Sequence, residues 1–136
     1  MTAARDDPRM QLQLGFVIVY VDDPPAAADF YERVFGLKKE FVAGSEYAQM
    51  DTGPTKLGFA NYALGEKNFP GGVRRAEGQP FNVEIALTHD DVDAAFAHAV
   101  DNGCTELARP EDKPQGQRVA YVRDPFGTLI ELATPL

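Results

Sequence analysis

The stretch Gly15–Asp23, GFVIVYVDD, occurs twice in the chain, and this repetition limits the fold more than any other feature. The second copy, Val83–Asp91 or VEIALTHDD, lies at a constant offset of 68 residues and pairs mostly hydrophobic with hydrophobic positions. Asp22 and Asp23 fall on Asp90 and Asp91. Beyond the strand, Ala26 and Ala27 fall on Ala94 and Ala95, and after one deleted residue Gly36 falls on Gly103. Each copy therefore reads as strand, acidic turn, helix and glycine stop. Only two copies fit, so the chain is a duplicated half-domain rather than a solenoid.

Hydrophobic spacing extends this frame. A first strand is expected over Leu14–Val21, with Val17, Val19 and Val21 on one face and Phe16, Ile18 and Tyr20 on the other, both faces buried or half-buried. A helix follows, opened by an Asp cap and Pro24-Pro25, with Ala27, Phe30, Tyr31, Val34 and Phe35 as its apolar stripe. Strands are expected over Lys38–Ala43, Glu46–Asp51 and Lys56–Asn61. Between Tyr62 and Pro80 periodicity is lost and Gly and Pro accumulate, as in a linker or a functional lid. The second copy repeats the pattern: strand Phe81–Thr88, helix Asp91–Asn102, and strands over Thr105–Ala108, Gln117–Val122 and Thr128–Ala133. Arg109–Gly116 reads as a polar loop, and Asp124–Gly127 as a type I turn. The organisation expected is a flexible leader over residues 1–11 and one domain over 12–136, comprising a first module 12–62, a linker or lid 63–80 and a second module 81–136.

Composition removes several function classes. Thirteen basic against 21 acidic residues give a net charge of −8, which opposes nucleic acid and anionic lipid surfaces. The apolar run Phe16–Val21 is too short to span a bilayer, so no membrane partner is expected. A lone Cys104 and the lack of a signal-like leader read as cytoplasmic. Cys104 reads as a small buried hydrophobe, His98 as a surface residue and His89 as a turn residue. Arg74 and Arg75 read as a solvated doublet.

No nucleophile elbow, HExxH helix, CxxC pair or P-loop is present. What stands out is a pair of carboxylates inside strands: Glu84 interrupts VEIAL and Glu131 interrupts LIEL. Strand parity puts Val83, Ile85 and Leu87, and likewise Ile130 and Leu132, toward the helix. Both glutamates then point to the opposite face, which is either plain solvated surface or a site. Two neighbouring carboxylates raise at least one pKa and make a candidate acid/base pair.

The segments YVDDPPAAADFYERVFGL, FNVEIALTHDDVDAAFAHAVDNG and YVRDPFGTLIELATP resemble the vicinal oxygen chelate superfamily, the group of glyoxalases, bleomycin-resistance proteins and ring-cleaving dioxygenases. The resemblance covers Leu14–Pro135. It implies an α+β fold of two βαβββ modules in one chain, with cupped mixed sheets and helices outside. It also implies a homodimer with clefts shared between subunits. In metal-using members, ligands come from the first and last strand of each module, which here carry Phe16 and Gly58 in the first module and Glu84 and Glu131 in the second. A phenyl ring and a hydrogen cannot ligate, so no cofactor is expected; carboxylates alone would favour Mg, Mn or Ca over zinc.

Three functions follow as expectations. The first is a metal-free protein binding a small, partly apolar molecule through Phe16, Tyr20, Phe59, Tyr62, Phe69 and Arg74. The second is a metal-dependent lyase, isomerase or dioxygenase in which Glu84 and Glu131 are catalytic or hold the metal. The third is a structural or interaction protein with a vestigial cleft.

Overall fold

The computed structural model describes residues 10–136; of the leader expected over residues 1–11, positions 1–9 lie outside them. Strand β1 runs over Phe16–Tyr20, helix α1 over Pro24–Phe35, and strands β2, β3 and β4 over Lys38–Ala43, Tyr47–Asp51 and Lys56–Ala60. Helix α2 covers Tyr62–Asn68. The second copy contributes β5 (Glu84–Thr88), α3 (Val92–Asp101), β6 (Thr105–Asp112), β7 (Arg118–Arg123) and β8 (Leu129–Ala133).

Each copy forms its own four-stranded mixed sheet, ordered β1-β4-β3-β2 and β5-β8-β7-β6. The first and last strands of each module pair in parallel, and the remaining pairs are antiparallel. This is the α+β arrangement expected from the repeat.

Both long helices start where the acidic turn places them. The second Asp of each pair is the cap: Asp23 Oδ1 accepts from the Ala26 N–H at 3.1 Å and Asp91 Oδ1 from the Ala94 N–H at 3.0 Å. Helix α1 ends at Gly36, whose φ of 72° is left-handed, with the Leu37 N–H bonded back to the Tyr31 carbonyl at 3.3 Å.

The core lies between each sheet and its helix and is continuous across the modules. Val17 and Val19 of β1 and Ile85 and Leu87 of β5 pack into it, as strand parity requires. The opposite face differs from expectation: Phe16 is 57% exposed and Ile18 43%, while Tyr20 at the end of the strand is half-buried against helix α2. The two modules are joined by a buried hydrogen bond, in which the Tyr31 hydroxyl on α1 donates to Asp124 Oδ2 on the β7–β8 turn at 2.5 Å. The other Asp124 oxygen accepts the Phe126 and Thr128 N–H groups at 2.9 and 2.8 Å.

Two segments depart from the expected elements. Tyr62–Asn68 is helical, not structureless, because Asn61 caps it by accepting the Leu64 N–H at 2.8 Å. The span expected as a loop at 109–116 is largely strand, because β6 continues to Asp112 through register shifts opposite β7.

Candidate functional site

The site is built on the sheet faces turned away from the helices. In module two, Glu84 pairs with Leu129 and Ala86 with Glu131 along the parallel β5–β8 ladder, so Glu84 and Glu131 share that face one step apart. Across the antiparallel ladder Tyr121 stands opposite Glu131, and its hydroxyl donates to Glu131 Oε2 at 3.1 Å. Partial desolvation, then the charge of Glu131 and a hydrogen bond with it, raise the Glu84 carboxyl above its ordinary value. The Tyr121 phenol is raised in turn, by desolvation and by its bond to Glu131. Glu84 therefore holds a proton more readily than an isolated glutamate.

Module one repeats the register and changes the chemistry. Phe16 pairs with Lys56 and Ile18 with Gly58, so Gly58 occupies the place that Glu131 holds in module two. Gly58 has no side chain because none fits. A Cβ there would lie 2.2 Å from Tyr47 Oη. The Tyr47 hydroxyl fills the space instead and donates to Gln49 Oε1 at 2.7 Å. Gln49 Nε2 donates to Glu40 Oε1 at 3.1 Å, and Lys56 Nζ joins Glu40 at 3.6 Å and Asp51 at 2.7 Å. Both modules thus bring a phenol to the last-strand position. In one it binds a carboxylate, and in the other it stands where a side chain is missing.

These donors do not fit a divalent ion. Phe16 and Gly58 offer none, and among the described residues no three His, Cys, Asp or Glu side chains converge as ligands.

The structure divides the aromatic set expected to bind ligand. Tyr20 and Tyr62, with ring centroids 6.2 Å apart, line an apolar cavity of about 240 Å³ between β1 and the β5–β8 pair. Phe16 does not border it. Phe59 is removed from the candidate set: it is 0% exposed, lies on the helix side of β4 beside Val19 and packs on Tyr31 at 4.8 Å. Phe69 is an exposed residue at the end of α2, and Arg74 lies on the outer side of the following segment. Neither reaches the cavity.

Sequence reasoning missed Phe81, Phe126 and Val73, which do line the cavity, and Arg75, which holds the segment over it. Phe126 sat inside a turn motif and Arg75 inside a doublet read as solvated, so neither carried a local signal. Cys104 is buried as expected, and burial together with the charge of Asp124 pushes its thiol up to about 12, which makes it inert as a nucleophile.

No helix among the described residues is long and apolar enough to cross a membrane. Residues 13–132 match the family model described as Glyoxalase/Bleomycin resistance protein/Dioxygenase superfamily. The protein CFP32 of Mycobacterium bovis is 31% identical over 117 residues, 84% of this chain; the chain spans 41% of the length of that relative. Among solved structures, a glyoxalase-related enzyme from Fulvimarina pelagi superposes with a TM-score of 0.76 at 20% identity, covering 92% of this chain and 89% of its own. TioX from Micromonospora sp. ML1 superposes at 0.65 with 26% identity, covering 92% and 100%.

Proposed function

We propose that this chain, which belongs to the glyoxalase/bleomycin resistance protein/dioxygenase superfamily, binds a small, partly apolar molecule without a complete metal site. The observation that carries this reading is the pair of first-module positions: a phenyl ring at Phe16, and Gly58 beneath the Tyr47 hydroxyl. Binding is expected to rest on apolar contact and aromatic surface, with orientation set by a few hydroxyls. The exposed apolar side chains Phe16 and Ile18 suit a homodimer whose facing sheets enclose shared clefts, and a cytoplasmic location belongs to the same proposal. A monomer by light scattering at micromolar concentration contradicts that arrangement. A thermal-shift screen of neutral aromatic compounds tests binding itself: stabilisation that survives excess chelator supports the reading. Stabilisation abolished by chelator rejects it, and a screen with no shift at all favours a structural role with a vestigial cleft.

A second reading is favoured by the raised Glu84 carboxyl beside the hydrogen-bonded Tyr121 and Glu131. In an enzyme of the lyase, isomerase or dioxygenase type, Glu84 would hold or deliver a proton while Tyr121 fixes the Glu131 carboxylate. It requires that Glu84→Gln and Glu131→Gln each abolish turnover in a folded protein; unchanged rates in both reject it.

A further inference from the structure

We infer that the ligand is an uncharged molecule of one or two rings, held in the cavity between the modules, and that Arg75 latches the lid over it. The inference rests on the small-molecule reading above and adds to it a pocket within one chain, which neither Phe16 nor Gly58 lines, with a ligand class and a gate.

The lining sets the class. Val17, Val19, Val83, Ile85, Phe81 and Phe126 are among its walls, and among the described residues no charged side chain lines it. The polar side chains among the described lining residues are Tyr20, Tyr62 and Thr128. A charged ligand would lose part of its hydration there with no counter-ion in the lining, whereas a neutral ring loses little and gains contact with the apolar walls. A dry apolar cavity of about 150 Å³ accommodates benzene. The 240 Å³ found here therefore suits one or two rings with a hydroxyl or carbonyl facing a tyrosine. The Tyr20 ring is seated by Gly65 of α2, where a Cβ would come within 2.9 Å of its edge.

The lid is the irregular stretch between α2 and β5. Val73 and Ala76 turn inward onto the cavity while Arg74 stays outside. Gly71 and Gly72 at one end and Gly78 at the other have φ of 86°, 60° and 73°, which few other residues adopt, and they bracket the inward pair like hinges. Two tethers close it. Arg75 donates from Nη2 and Nε to Asp22 Oδ1 at 2.6 and 3.1 Å and lies 4.2 Å over the Tyr62 ring, on a tyrosine that itself lines the cavity. Arg123 donates to the Gly78 carbonyl from the other module. Asp22 is free for this because its neighbour Asp23 caps α1. The Arg75–Asp22 pair is exposed, so salt weakens it and the lid can open without disturbing the core.

The test uses 1-naphthol as a neutral fluorescent probe and 1-naphthalenesulfonate as its anionic counterpart, with the full chain. The wild type is expected to bind 1-naphthol saturably and the sulfonate at least tenfold more weakly. Ala76→Phe, which fills the cavity, is expected to abolish 1-naphthol binding. Arg75→Ala, a surface change that leaves folding intact, is expected to speed entry and release about three- to tenfold in stopped flow, with a smaller change in affinity. Release from the wild type is expected to accelerate with salt, and release from Arg75→Ala is not. Equal binding of both probes, binding that survives Ala76→Phe, or Arg75→Ala kinetics matching the wild type overturns the inference while the broader small-molecule reading stands. Absence of saturable binding by either probe overturns the inference, and loss of every ligand-induced thermal shift overturns the broader reading as well.

Discussion

At the scale of single residues, the duplicated frame is informative because its two copies disagree. Phe16 and Glu84 hold one position, Gly58 and Glu131 another, and the difference at Gly58 has a local physical cause. Gly58 is required by Tyr47. Gly58→Ala must push the Tyr47 ring aside and break its bond to Gln49, at a cost of about 1 to 2 kcal/mol in denaturant unfolding. Combined with Tyr47→Ala, the two losses should be far from additive, since the clash disappears with the ring. Glu84 supports a prediction about pH. A carboxyl whose folded pKa exceeds its unfolded value is protonated preferentially in the folded state. The stability it adds is fully present below the ordinary value of 4.5 and is lost as pH rises through the raised folded value. Glu84→Gln should therefore gain stability relative to the wild type on going from pH 4 to pH 7, measured as the difference in melting temperature. A constant difference across that range would show that Glu84 titrates normally.

At the scale of elements, capping and turn chemistry were the most legible features. The Asp pairs announced both long helices, and Asp23 and Asp91 cap them as the repeat requires. Asp23→Ala and Asp91→Ala should each cost about 1 kcal/mol, with the loss confined to stability. The Asp124–Gly127 turn was equally visible, yet its larger role was not. The Asp124 side chain organises its own turn and also receives the Tyr31 hydroxyl, 93 residues away in sequence, and such a partner leaves no local trace. Asp124→Ala strands the Tyr31 hydroxyl and two N–H groups in a buried site, so a loss of roughly 3 kcal/mol is expected. Tyr31→Phe should cost less, because Asp124 keeps its backbone donors. The two missed elements have related causes. Helix α2 is about two turns long, too short for an apolar stripe, and the extension of β6 rests on bulges that break strict alternation.

At the scale of the whole molecule, the fold was readable because a duplication is a long-range signal written in sequence, and parity then fixed which face each strand residue takes. The site was only half readable. Parity placed Glu84 and Glu131 together and away from the helices, and it placed Phe16 on the equivalent face of module one. It also places Phe59 in the core, although the residue was expected at the ligand, since β4 pairs it with the helix-facing Val19. The cavity under the lid could not be read, because it is made where β1, β5, α2 and the β7–β8 turn meet, and no single segment carries its shape. Phe16 and Gly58 give module one no metal ligand at its two site positions, and the proposed function requires that the chain work without a bound divalent ion. Elemental mass spectrometry of untagged protein, equilibrated with Mg²⁺, Mn²⁺ and Ca²⁺ and then freed of unbound ions, tests it most directly. Far less than one ion per chain is expected, with unchanged thermal stability after chelation; a near-stoichiometric divalent ion that is lost together with stability would contradict metal-free binding.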